Sequence, residues 1–150
     1  MSDSRSTRVL QRNALYRLAA IGAVILGLFL TLGAQGHFVA IWPMVISEGM
    51  DLSHGLLLML PGVMLAGTAV LNLLLCKPLW QERAYALNVT LTGNLLTMSY
   101  LFYLMIRGVP NHPIGVFLAL EMSFVLLLVV TRAGLIWPAV AEAPVEKGMQ

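Results

Sequence analysis

Three long stretches of this chain, residues 18–42, 54–76 and 84–106, contain no Asp, Glu, Lys or Arg, and a fourth, 113–137, contains one Glu and one Arg. Each is close to the roughly 20 apolar residues that an α-helix needs to cross the hydrocarbon core of a bilayer. Backbone in lipid has no water to bond to, so such runs resolve as helices. The 150 residues are 59% hydrophobic and 11% charged, against roughly 25% charged in a soluble domain. The expectation is an all-α integral membrane protein with four transmembrane helices in an antiparallel bundle. A basic segment at 1–17, a cytoplasmic tail or surface helix, should precede it, and a disordered cytoplasmic tail at 138–150 should follow.

Charges outside the apolar runs set the expected orientation, because Lys and Arg are retained on the cytoplasmic side. Arg5, Arg8, Arg12 and Arg17 precede the first run, Lys77 and Arg83 border the second connection, and the first connection, SEGMDLS, has neither Lys nor Arg. Both termini should therefore be cytoplasmic in a cell (inner) membrane protein. Glu48, Asp51 and the RGVPNHP connection fall outside, with Arg107 the single charge against the trend. Tyr16, Trp80, Tyr85 and Trp137 fall at inner ends of the runs, and Trp42 and Tyr103 toward outer ends, the levels that amphipathic rings prefer.

The Arg-bearing start also has the outline of a signal peptide, with TLGAQG as a loose cleavage site. The run continues through HFVAIW to full spanning length and further spans follow, so a retained first helix is expected. Pro43, Pro78 and Pro138 each follow a run where a helix should stop. Pro113 suits a helix start, and Pro61, inside the second run, should kink it.

A rise of about 1.5 Å per residue turns distance from a span's midpoint into depth. By that ruler Gln35 and His37 lie roughly 7–11 Å and Glu121 about 6 Å toward the outside. These three form an expected outer polar layer. Asn72, Asn88 and Arg132, each about 10 Å toward the inside, form an expected inner layer, with Asn94 near the middle. A lone carboxylate near the bilayer centre costs roughly 2.5–3.5 kcal/mol even on the permissive insertion scale. Glu121 should therefore be paired, protonated or wetted. Arg132, eleven residues on, returns to nearly the same helix face roughly 16 Å lower, within reach of inner headgroups by snorkelling.

The third run is the most polar, with Asn88, Thr90, Thr92, Asn94, Thr97 and Ser99. Asn88 with Thr92, and Thr90 with Asn94, are spaced to share a helix side. The wide polar arc predicts that this helix is the most protein-surrounded, within the bundle or against a partner. Asn88-Val89-Thr90 matches the glycosylation sequon but sits near the inner face. Small residues at Ala19, Gly22, Ala23 and Gly27, and at Gly62, Ala66 and Gly67, allow close helix approach.

The functional alternatives follow from these groups. Glu121 reads either as a proton- or cation-binding group in a small transporter or as a structural carboxyl holding the fourth helix to the first. His37, His54 and His112 all fall in the outer half, which raises haem, copper or zinc. Only His37 lies well inside a run, so no cofactor and no metal site is expected. Cys76 is the sole cysteine and reads as a small apolar residue. HExxH, GxSxG and P-loop patterns do not occur, which favours a protein that is not an enzyme. The net charge of +2 gathers in the amino tail and suits membrane orientation rather than nucleic acid.

The expected partners are the lipid bilayer and other membrane-protein subunits or further copies of the chain. The leading reading is a non-catalytic accessory or structural subunit of a larger membrane assembly. The runner-up is a small oligomeric proton-coupled transporter or channel using Glu121. A haem- or quinone-associated redox subunit comes third.

Overall fold

The computed structural model describes residues 3–47, 52–107 and 112–141. Among them are four helices and no strand: α1 (Asp3–Ser47), α2 (Leu52–Trp80), α3 (Ala84–Ile106) and α4 (His112–Ala141). Each contains a stretch long and apolar enough to cross a membrane. The acidic residues Glu48 and Asp51 and positions 142–150 of the carboxyl tail lie outside the described residues.

Helices outlast the apolar runs at several ends. Residues 3–17 contain neither Gly nor Pro, so nothing interrupts helix propensity between the basic segment and the first run, and the two form one helix. α1 continues through Pro43 for a further turn, α2 passes Pro78, and α4 passes Pro138 to Ala141. A proline removes one N–H and disturbs the carbonyl four residues earlier, and apolar helices tolerate this where neighbouring groups compensate. The three prolines mark where apolar sequence ends, not where the helix does.

The α2–α3 turn has a stop of its own. Glu82 N–H donates to the Leu79 carbonyl at 2.9 Å and Arg83 N–H to the Pro78 carbonyl at 3.0 Å, the paired bonds of a Schellman motif. Glu82 takes the left-handed position at φ 59°, where glycine is the usual residue. Its carboxylate meets the Arg12 guanidinium at 3.2 Å, and the Arg17 guanidinium lies 5.5 Å from the Trp80 ring centroid. The start of α1 and the α2–α3 turn therefore share one end of the bundle.

Among the described residues each helix packs on two neighbours, α1 on α2 and α4, and α3 on α2 and α4, with no diagonal contact. The α1–α2 interface is the most extensive, and α1, not α3, has the largest buried share within the chain. Half of the polar arc of α3, Asn88, Thr92 and Ser99, faces outward, so the first of the two expected settings, enclosure within the bundle, does not hold for α3. Tyr16, Ala19, Ala20, Ala23, Leu26 and Leu30 form the inward stripe of α1, so Tyr16 is a core residue, not an interfacial one. Leu28, Leu32, Leu57, Leu74, Leu96, Val116 and Leu126 are all more than half exposed. An outer surface this apolar on every helix is compatible with a multi-pass membrane protein.

Glycine sets the register between α1 and α4. A Cβ on Gly22 would lie 2.9 Å from Phe124, and one on Gly33 would run into the Phe117 ring. Both positions need the missing side chain for the aromatic ring to seat. Gly27 meets Leu73 and the Ala69 carbonyl on α2, and Gly62 meets His37 and Phe38. Gly67 has nothing within 4 Å and takes no part in packing.

Candidate functional site

These contacts form a ladder from which levels across the bundle can be read. Phe117 opposite Gly33 and Phe124 opposite Gly22 bracket Glu121 between them, level with about residues 27–29 of α1. There α1 meets Ala69 and Leu73 of α2. That part of α2 in turn joins α3 through two side-chain pairs, Thr68 with Thr97 and Asn72 with Asn94. Glu121 thus occupies the middle of the bundle, at the level of those pairs.

The amide pair is reciprocal. Asn72 Nδ2 donates to Asn94 Oδ1 at 3.0 Å, Asn94 Nδ2 donates to Asn72 Oδ1 at 2.8 Å, and Asn94 Nδ2 also donates to the Thr90 carbonyl at 2.7 Å. Thr68 and Thr97 share a hydroxyl–hydroxyl bond. All four side chains are buried, and so paired they avoid most of the penalty of polar burial.

Glu121 does not share in this. It has no exposed surface, and both carboxyl oxygens are buried without a hydrogen-bond partner. Of the three fates open to a carboxyl here, pairing is not used, and protonation or hydration remain. Thr90 Oγ1 is likewise buried without a partner, about four residues along α3 from Asn94 toward the Arg12 end. A buried polar atom left unbonded is rare enough in folded proteins to require an explanation such as water or an ion.

The outer layer expected from the sequence is not joined. His37 Nε2 lies 2.8 Å from the Leu58 carbonyl, Gln35 is exposed, and neither bonds to Glu121. His37 sits about nine residues beyond the Glu121 level on α1, or about 14 Å. The ruler erred because it took span midpoints as a common origin, whereas glycine–aromatic contacts set the register about 9 Å, nearly two turns, away.

The inner layer divides in the same way. Asn72 belongs to the central pairs, while Asn88 and Arg132 are exposed. Gly134 packs near Leu15, which brings Arg132 level with Arg17 and Trp80 at the bundle's charged end. The guanidinium therefore needs no buried partner, as snorkelling anticipates.

Asn94, which the ruler put near the middle, completes the central layer with Thr68, Thr97 and Thr90, residues that belonged to neither expected layer. A signal existed: Thr90, Asn94 and Thr97 follow the i, i+4, i+7 spacing of one helix face. The outward residues Thr92 and Ser99 bond the carbonyls of Asn88 and Leu95 on their own helix. Such bonds let a hydroxyl face lipid without a partner.

Above the central layer, toward the His37 end, lies a cavity of about 370 Å³ to which all four helices contribute, among them Gly33 and His37, Pro61 and Leu65, Leu101, and Phe117. Phe117 is one turn from Glu121 on the same face of α4. Among the described residues no group of three or more His, Cys, Asp or Glu could hold a metal ion. Compared with protein-family models, with curated proteins and with solved structures, the chain matches none.

Proposed function

We propose that the chain is an integral protein of the cell membrane, crossing it four times with both termini cytoplasmic, and that it is a small proton-coupled transporter or channel in which Glu121 is the titrating group. The observation that carries this reading is the Glu121 carboxyl, fully buried at the centre of an apolar bundle with neither oxygen bonded. An ionisable group at this depth is expensive to keep and is by default a candidate functional group. The orientation is supported by the charged end. Arg12, Arg17, Lys77, Arg83 and Arg132 gather there around the Arg12–Glu82 pair, the arrangement that retention of positive charge favours.

A second reading, the accessory subunit of a larger membrane assembly, draws on Gln35, an exposed amide in an apolar helix at hydrocarbon depth. A partner helix would satisfy it. On α3, Asn94 and Thr97 pair with α2, so the polarity it leaves for this reading is the exposed Asn88 amide.

The test is reconstitution of the purified protein into liposomes with a proton-sensitive dye inside. Wild-type flux that is lost in Glu121→Gln and retained in Gln35→Leu supports transport. Absence of flux, together with reproducible co-purification of other membrane proteins that Gln35→Leu disrupts, supports the accessory role. A periplasmic or extracellular reporter signal from a fusion after Gln150 would overturn the orientation.

A further inference from the structure

The 370 Å³ cavity is of the size that takes a small ligand, and among the described residues its wall is apolar with a single polar side chain, His37. Leu65, Leu101, Ile114 and Phe117 supply hydrocarbon from the other three helices. His37 is held in a defined way. Its Nε2 lies 2.8 Å from the Leu58 carbonyl oxygen, and since a carbonyl can only accept, Nε2 carries the hydrogen and donates it. In the neutral ring Nδ1 is then an acceptor.

Ring geometry indicates where that acceptor lies. The Cδ2 atom of His37 stands 2.9 Å from where a Cβ on Gly62 would be, so the Cδ2–Nε2 edge is turned to α2. Nδ1 is on the opposite edge, away from α2 and its carbonyl. Among the described side chains that line the chamber His37 alone brings an acceptor, which suits an apolar molecule with one hydrogen-bond donor. Phe117, whose ring is seated against Gly33, offers an aromatic wall at the floor, and ring–ring contact adds about 0.5–1.5 kcal/mol beyond area burial.

We propose that this cavity binds a lipid-soluble phenolic molecule, of the phenol or hydroquinone class, with its hydroxyl donating to Nδ1 of His37 and its ring beside Phe117. The site goes beyond the transport reading and stands apart from it, because Glu121 contributes nothing to the contact. Gly36 provides a clean control: it lines the cavity, and a Cβ added there meets nothing within 4 Å. A larger side chain at this position meets no packed neighbour among the described residues, so it can take up cavity space without displacing one.

Binding can be measured with the full chain in nanodiscs by the fluorescence of 2-naphthol and of its methyl ether, 2-methoxynaphthalene, after subtraction of protein-free discs. The expected result is saturable binding of 2-naphthol, with the ether about tenfold weaker for want of one hydrogen bond. His37→Ala should remove the difference between the two probes. Gly36→Leu should abolish saturable binding of both while keeping wild-type helicity and melting behaviour. Glu121→Gln should leave both affinities unchanged, so that failure of the transport reading and failure of this one are distinguishable. Equal affinity of wild type for the two probes, binding no greater than in empty discs, or binding undiminished in Gly36→Leu would overturn the proposal.

Discussion

Replacing Glu121 with Leu should make the protein more stable while removing the proposed proton flux. The carboxyl is fully buried and both oxygens are unbonded, and a buried polar group left without partners costs about 1–3 kcal/mol. Leucine is of similar bulk, restores dispersion contacts with the surrounding apolar side chains and carries no polar atom. The worked expectation is a gain of about 2 kcal/mol, the middle of the cost of leaving such a group unpartnered. Glu121→Gln keeps the shape and remains an unpartnered polar group, so it should fall within about 1 kcal/mol of wild type. The measurement is reversible unfolding by SDS titration in mixed micelles, followed by helical circular dichroism and by Trp fluorescence. If Glu121→Leu is instead destabilised by 1 kcal/mol or more, estimated on the same scale, the carboxyl is holding helices together. The argument from its isolation then fails. A gain in stability with loss of proton flux is the pattern of a group kept for function at the expense of the fold.

Three further expectations rest on particular contacts. Asn72→Ala and Asn94→Ala each leave a buried amide unpaired and should cost about 1–3 kcal/mol; in the double variant the costs should fall short of additive by about 0.6–2 kcal/mol, and strict additivity would mean the reciprocal bonds do not form. Gly33→Ala pushes a Cβ into the Phe117 ring and should cost about 1–3 kcal/mol by overpacking, with recovery on adding Phe117→Leu, whereas Gly67→Ala, which faces open space, should be neutral or stabilise slightly in the same titration. Glu82→Gly relieves a left-handed residue worth about 1 kcal/mol and loses an exposed ion pair worth about 0–1 kcal/mol, so its melting temperature should hardly move. A large drop would show that the Arg12–Glu82 contact anchors α1 more strongly than an exposed pair should.

The number of helices could be read directly from the chain, because an uncharged run of about 20 residues has few fates other than a helix in an apolar setting. Helix ends were less legible. Pro43, Pro78 and Pro138 looked like stops, yet α1, α2 and α4 run past them. The small residues were read correctly as contact points at Gly22, Gly27 and Gly62, and incorrectly at Gly67, which meets nothing.

For the candidate site, Glu121 stood out in sequence and remains the unexplained group, whereas Arg132 proved to share the level of Arg17 at the charged end. Which polar residues surround Glu121 could not be read from the chain. In water, a helix declares its buried face by contrast between apolar and polar stripes. These helices show little such contrast, with large apolar side chains on their exposed faces and polar groups on both faces of α3. The pattern is compatible with a lipid setting in which core and surroundings make the same demand. Rotation and register were therefore decided by tertiary contacts alone: Phe117 against Gly33, Phe124 against Gly22, and the Thr68–Thr97 and Asn72–Asn94 pairs. The chain by itself determined that four helices form and that a carboxyl lies deep in the fourth. Only the packed bundle determined that this carboxyl stands beside two satisfied polar pairs and belongs to neither.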